Sequence, residues 1–124
     1  MIIGIGIDVV HVHRMGRWCS TPGLLERFFH PQELSQAISR GSGAELSLAA
    51  RFAAKEAFGK ALGTGLTGIV LKDIMVANRH NGSPDIHVEG TALAALKKSE
   101  ANRVHLSLTH EKDNAVAMVV LEKV

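Results

Sequence analysis

The 124 residues predict an α+β fold in which a small antiparallel sheet packs against one long central helix. Three observations carry that prediction. Alternating apolar and polar segments lie at both ends of the chain, and a long central stretch is apolar on two helical faces. Strands and helices also follow one another without the regular β-α alternation of a parallel sheet. Apolar residues make up 46% and charged residues 21%, which excludes a disordered chain, and 3 prolines beside 12 glycines exclude collagen-like sequence. A chain of this length predicts one domain, residues 1–124.

Residues 1–10 read as a strand with two unlike faces: Ile3, Ile5, Ile7 and Val9 share one, and Gly4, Gly6 and Asp8 share the other. Two glycines beside a carboxylate either admit a close backbone or ligand, or mark a bend with Asp8 capping the next segment. Residues 11–25 carry Arg14, Arg17 and Trp18 and break at Ser20-Thr21-Pro22-Gly23. A short helix or turn is expected there, then a second helical piece at residues 24–29. Pro31 suits a first turn and predicts a helix to about Ile38, stopped by Ser39-Arg40-Gly41-Ser42-Gly43.

Ser42-Gly43-Ala44-Glu45 has the form of a capping box and Gly63-Thr64-Gly65 that of a helix stop, which brackets the main helix. Leu48, Phe52, Gly59 and Leu62 line one side of it; Leu46, Ala50, Ala53, Ala54, Ala57 and Ala61 line the opposite side. Such a helix is mostly buried, and its alanine face lets a sheet or helix approach closely. Arg51, Lys55, Glu56 and Lys60 lie between those faces. They must be paired, hydrated in a cleft or bound to a ligand, the plain alternative being a solvated edge with a Glu56–Lys60 pair. Residues 69–77 and 86–89 read as strands joined by Asn81-Gly82-Ser83-Pro84. Thr91 caps a helix running through Lys98. A last hairpin joins residues 103–110 to 115–121 over Glu111-Lys112-Asp113-Asn114.

Lys and Arg number 14 against 12 Asp and Glu, for a net charge of +2. With 4 Phe, 1 Trp and 0 Tyr, base-stacking platforms are scarce, so nucleic acid is not expected as a partner. No apolar run approaches the ~20 residues of a membrane span. Residues 1–10 contain Asp8 and lack the basic front of a signal peptide. The lone Cys19 reads as a small hydrophobe and predicts a reducing, cytoplasmic setting.

One cysteine and scattered histidines do not build a zinc site. A hard divalent cation needs only one or two carboxylates plus water and substrate phosphates, which Asp8 and Glu56 supply if strand and helix pack together. Lys55, Lys60 and the Gly63-Thr64-Gly65 turn then offer cations and N–H groups to phosphate. The lysines precede the glycines, unlike a Walker A loop, and Gly4-x-Gly6 lacks the third glycine of a dinucleotide fingerprint. His110, at a strand end, can bind phosphate, donate to a reacting group, or be a hydrated edge histidine.

Gly4-Ile5-Gly6-Ile7-Asp8-Val9-Val10, Arg51-Phe52-Ala53-Ala54-Lys55-Glu56-Ala57-Phe58-Gly59-Lys60-Ala61-Leu62-Gly63-Thr64-Gly65 and Ser107-Leu108-Thr109-His110 resemble blocks of the holo-acyl-carrier-protein synthases. These are the small phosphopantetheinyl transferases. Weaker matches at Glu26-Arg27-Phe28-Phe29, Glu33-Leu34 and Asn81-Gly82-Ser83-Pro84 extend the resemblance over the whole chain. It implies a homotrimer of the phosphopantetheinyl transferase fold with clefts between protomers. The implied reaction is Mg²⁺-dependent transfer of 4′-phosphopantetheine from coenzyme A to a serine of apo-acyl carrier protein, in fatty acid biosynthesis, releasing adenosine 3′,5′-bisphosphate.

By the same resemblance, Asp8 and Glu56 hold Mg²⁺ and act with Lys60 and His110 in catalysis, the last two contacting phosphates. Arg51, Gly63, Gly82, Ser83, Pro84 and Thr109 line the nucleotide cleft, and Arg14, Arg17 and Arg27 dock the acidic carrier. Four residues depart from the family pattern: Ser83 stands where a basic residue is usual, Glu111 where a hydroxyl is common, and His11 and His13 where acidic or apolar residues are frequent. A competing similarity of Gly6-x-Asp8 and His11 to the zinc motif of methylerythritol cyclodiphosphate synthases has its spacing wrong by one residue. A second alternative is a binding module of the same family that binds without transferring.

Overall fold

The computed structural model describes residues 1–124. The chain opens with β1 (Ile2–His11), followed by α1 (His13–Cys19), α2 (Leu24–Phe28), α3 (Pro31–Ile38) and the long α4 (Ala44–Leu62). A hairpin of β2 (Ile74–Asn78) and β3 (Pro84–Val88), α5 (Gly90–Lys98), and a second hairpin of β4 (Arg103–His110) and β5 (Asn114–Glu122) complete it. β1, β5 and β4 form an antiparallel sheet in that order, and β2 and β3 form a separate two-stranded one. The architecture is the expected α+β arrangement.

The glycine face of β1 and the alanine face of α4 meet backbone to backbone. A Cβ on Gly6 would stand 1.9 Å from the Ala57 carbonyl oxygen, and one on Gly4 would stand 1.9 Å from that of Ala61. No side chain fits between, which decides the question posed by Gly4, Gly6 and Asp8 in favour of close approach. A register shift does occur between Ile2 and Gly4, yet Gly6 and Asp8 pair regularly with Val119 and Ala117. From β5, Ala115, Ala117, Val119 and Leu121 point to the same side and are fully buried. The core is one cluster of apolar side chains to which α4 contributes Leu48, Phe52, Ala53, Ala57 and Phe58. Trp18 of α1 packs edge-on against Phe52 at 4.8 Å and lies 5.1 Å from Phe28 of α2, which ties the short helices to α4.

Several boundaries differ from expectation, each for a local reason. Ser42 does not cap α4: residues 41–43 form a 3₁₀ turn that runs straight into the helix, whose N-cap is Gly43. The capping box forms instead at α3, where His30 Nδ1 accepts from the Gln32 N–H and Glu33 Oε1 from the His30 N–H. The strand expected from residue 69 begins at Ile74, because Leu71–Asp73 form a 3₁₀ turn. Thr91 does not cap α5. The Asp73 carboxylate does so by accepting from the Thr91 N–H at 2.8 Å and its hydroxyl at 2.6 Å. Cys19 is exposed rather than part of the core.

Candidate active site

Asp8 lies on the glycine face of β1, an edge strand, where α4 leaves its carboxylate partly open. Lys60 of α4 donates to Asp8 Oδ1 at 2.9 Å and to the Ile7 carbonyl oxygen at 3.1 Å. Glu56, one helical turn earlier, is half-buried. Burial and the neighbouring Asp8 push its carboxyl pKa up, while Lys60 and Arg14 pull it down. The solvated Glu56–Lys60 pair is therefore not what forms: Lys60 bridges to the strand and leaves Glu56 facing Asp8's field. Beside Asp8 and Lys60 is a cavity of about 250 Å³, also lined by Ile7, Val9 and Val116.

A second group of expected residues gathers elsewhere. Arg51, Gly82, Pro84, Thr109 and His110 line a groove of about 270 Å³ between α4, the β2–β3 hairpin and the end of β4. Arg51 is 4% exposed and donates from Nη2 to Gln36 Oε1 at 2.8 Å. Burial lowers its pKa, Glu33 raises it and Arg40 lowers it further. Gly82 has φ 86°, which suits the turn of the hairpin to glycine. Ser83 is not among the lining residues; its hydroxyl and N–H donate to Asn81 Oδ1. Glu111 accepts from Asn114 Nδ2 at 2.8 Å and borders a neighbouring cavity of about 560 Å³ instead.

The two groups do not meet within one chain. β5 separates β1 from β4, so the backbones at Asp8 and His110 stand roughly 10 Å or more apart. On α4, Arg51 and Glu56 point about 140° apart around the axis. Gly63 ends α4 in the left-handed region at φ 81°, beyond Lys60 and far along the helix from Arg51. The cavity at Glu111 runs between the groups, sharing Val9 and Val116 with one and Thr109 and His110 with the other.

Lys55 is not available to phosphate. It is fully buried and donates to Glu33 Oε1 at 2.8 Å, to the Leu71 carbonyl at 2.9 Å and to the Ile74 carbonyl. Arg14, Arg17 and Arg27 are exposed on α1 and α2, and none forms an ion pair. Sequence reasoning missed Arg40, Ser47 and Asn78, which also line the groove. Arg40 sits in the segment that reads only as a helix stop, and the one signal available was a cation among glycines and serines.

The family model described as 4′-phosphopantetheinyl transferase superfamily matches residues 4–119. A holo-[acyl-carrier-protein] synthase of Treponema denticola is 57% identical over 122 residues, 98% of this chain and 99% of that one. The crystal structure of holo-[acyl-carrier-protein] synthase from Neisseria meningitidis superposes with a TM-score of 0.88 at 38% identity, covering 99% of this chain and 100% of that chain. The Bacillus anthracis synthase in complex with CoA (3′,5′-ADP) does so with a TM-score of 0.83 at 37% identity, covering 100% and 99%. With the sheet order, the Asp8–Lys60 bridge and the Arg51 groove beside them, these matches establish that the chain belongs to the 4′-phosphopantetheinyl transferase superfamily.

Proposed function

We propose that this chain is a holo-acyl-carrier-protein synthase, transferring 4′-phosphopantetheine from coenzyme A to a serine of apo-acyl carrier protein. The observation that carries the reading is the convergence of Asp8, Glu56 and Lys60 where the glycine face of β1 admits α4. In the reaction the serine oxygen bonds to the phosphorus bearing the pantetheine arm. The bridging P–O bond of the pyrophosphate breaks, adenosine 3′,5′-bisphosphate leaves, and the serine proton passes to a base. Such a step is helped chiefly by positioning and by neutralising charge on the phosphate oxygens.

The residues fit Mg²⁺. Asp8 is near enough to raise the Glu56 pKa, and two carboxylates suit a hard cation that takes its remaining ligands from water and substrate phosphate. Bound by Asp8 and Glu56, Mg²⁺ would neutralise charge on the pyrophosphate. Lys60, half-exposed and already oriented by Asp8, adds a cation to the same oxygens. Glu56, or a water it orients, accepts the serine proton. Arg51 and Arg40, with Thr109, His110, Gly82 and Pro84, receive the nucleotide and its 3′-phosphate; Gly63 lines the cleft from the Lys60 side, and Ser83 shapes its hairpin. Arg14, Arg17 and Arg27 meet the acidic carrier.

The active unit is a homotrimer. The Asp8 group lies at the β1 edge and the His110 group at the β4 edge, so joining them between copies requires a head-to-tail contact, the kind that makes a ring where the rotation between copies closes. The apolar outer sheet face between those edges supports that contact: Ile5 is 62% exposed and Ile7 58%. No helix is long and apolar enough to cross a membrane.

Incubation with coenzyme A, Mg²⁺ and a competent apo-acyl carrier protein tests the function. The carrier is expected to gain the mass of one phosphopantetheine, and no gain refutes the reading. Glu56→Gln is expected to lower turnover by at least about a thousandfold; near-normal turnover at saturating Mg²⁺ removes Glu56 from the mechanism.

A further inference from the structure

Arg51 reaches the groove from inside the protein, and its guanidinium is incompletely satisfied. A guanidinium carries five N–H donors. One Nη2 donor goes to Gln36 Oε1, while Nε is buried without a partner. Arg40 lines the same groove, so two cations face one cavity. A buried cation with unfilled donors beside a second cation favours an anion.

Gln36 is placed to orient that cation without neutralising it. It lies one turn after Glu33 on α3, and Glu33 is locked by Lys55 and by the N–H groups of His30 and Val76. The base of the helix is thus pinned to α4 and β2, and Gln36 meets Arg51 at a set height. An amide oxygen accepts from Nη2 and leaves the full positive charge; a carboxylate there would form an ion pair and compete with the anion.

We propose that Gln36 is a positioning residue for coenzyme A: by accepting from Nη2 it sets the plane of the Arg51 guanidinium toward the 3′-phosphate. The inference rests on the function proposed above. Asp8, Glu56 and Lys60 take the pyrophosphate, and coenzyme A has one other phosphate, which the Arg51 groove of a neighbouring copy receives.

The test compares wild type, Gln36→Met and Gln36→Glu in steady-state transfer with coenzyme A and with 3′-dephospho-coenzyme A. Gln36 is exposed, so both variants are expected to fold normally. Gln36→Met keeps the shape and removes the acceptor. Its KM for coenzyme A rises about tenfold with kcat nearly unchanged, and its KM for the dephospho substrate stays at the wild-type value. Gln36→Glu keeps the acceptor but adds a competing charge, and again only the KM for coenzyme A rises. An unchanged KM for coenzyme A in Gln36→Met, or an equal rise for both substrates, overturns the inference. So does a wild type that transfers from both substrates with equal KM. A wild type that transfers from neither refutes the proposed function itself.

Discussion

Lys55 and Lys60 belong to the same helix and hold their charges by opposite means. Lys55 is surrounded by Glu33, the carbonyls of Leu71 and Ile74 and, at 5.4 Å, the Phe29 ring. Burial lowers its pKa, and the Glu33 carboxylate pushes it back up. Lys60 is 54% exposed and paired with Asp8. Removing either has a different signature. Lys55→Met removes the ion-pair partner of the buried Glu33, leaving it the His30 and Val76 N–H groups, and is expected to lower stability by about 3–5 kcal/mol. Lys60→Met should change stability by about 1 kcal/mol or less while lowering transfer at least about a hundredfold. Urea unfolding beside a transfer assay separates the two; a stable, inactive Lys55→Met would reverse the assignment. The amino-acid pattern makes it legible that charges on a buried helix need partners. It does not say which lysine goes inward, because the partners of both, Glu33 and Asp8, are remote in sequence. Arg51 is a parallel case: its place in the groove is legible, its anchor Gln36 is not.

At the scale of elements, α4 organises both parts of the site through spacing. Arg51 and Lys55, one turn apart, face α3 and β2; Glu56 and Lys60, one turn apart, face β1. Its alanine face is legible because small residues recur at helical period, and so is its glycine stop. Its start is not, since Ser42 and Glu45 have the spacing of a capping box but residues 41–43 take the 3₁₀ turn that leaves Gly43 as the cap. α5 is likewise legible over most of its length, while its cap is hidden because Asp73 is remote in sequence. Hydrogen bonds from the Thr91 side chain and backbone hold the Asp73 pKa below its usual value. A depressed carboxyl pKa contributes stability that is complete above the unfolded value of about 3.9 and is lost as pH falls through the folded one. Asp73→Asn keeps an acceptor and removes the charge, so it is expected to lower stability by about 0.5 kcal/mol near neutral pH, and the gap to wild type should close in acid. Urea titrations at neutral and acid pH measure it; a gap that persists below the folded pKa would show that the carboxylate charge is not what caps α5.

For the molecule as a whole, strand alternation identifies two faces of β1 but not which one turns inward. Isoleucines would ordinarily mark the buried face. Here the backbone contact of Gly4 and Gly6 with α4 takes that place, and Ile5, Ile7 and Val9 are left outside with Met118 of β5, itself 42% exposed. Ile7, Met118 and Ser107 form one row across the three strands, and the His105–Glu122 bridge at 2.9 Å closes one end of the face. An exposed apolar sheet face favours a contact surface, and in the trimer proposed above it lies between the Asp8 and His110 groups. Assembly and activity should therefore fail together. Met118 lines none of the cavities at the site. Its side chain is open in the single chain, so Met118→Glu should leave the fold intact while placing one carboxylate per copy at the shared surface. Light scattering is expected to fall from about 40 kDa for a ring of three copies to a single-chain value, with transfer lost and the circular dichroism spectrum retained. A variant that becomes monomeric yet transfers at the wild-type rate would mean that one chain completes the site alone, and one that stays trimeric would move the contact away from the sheet.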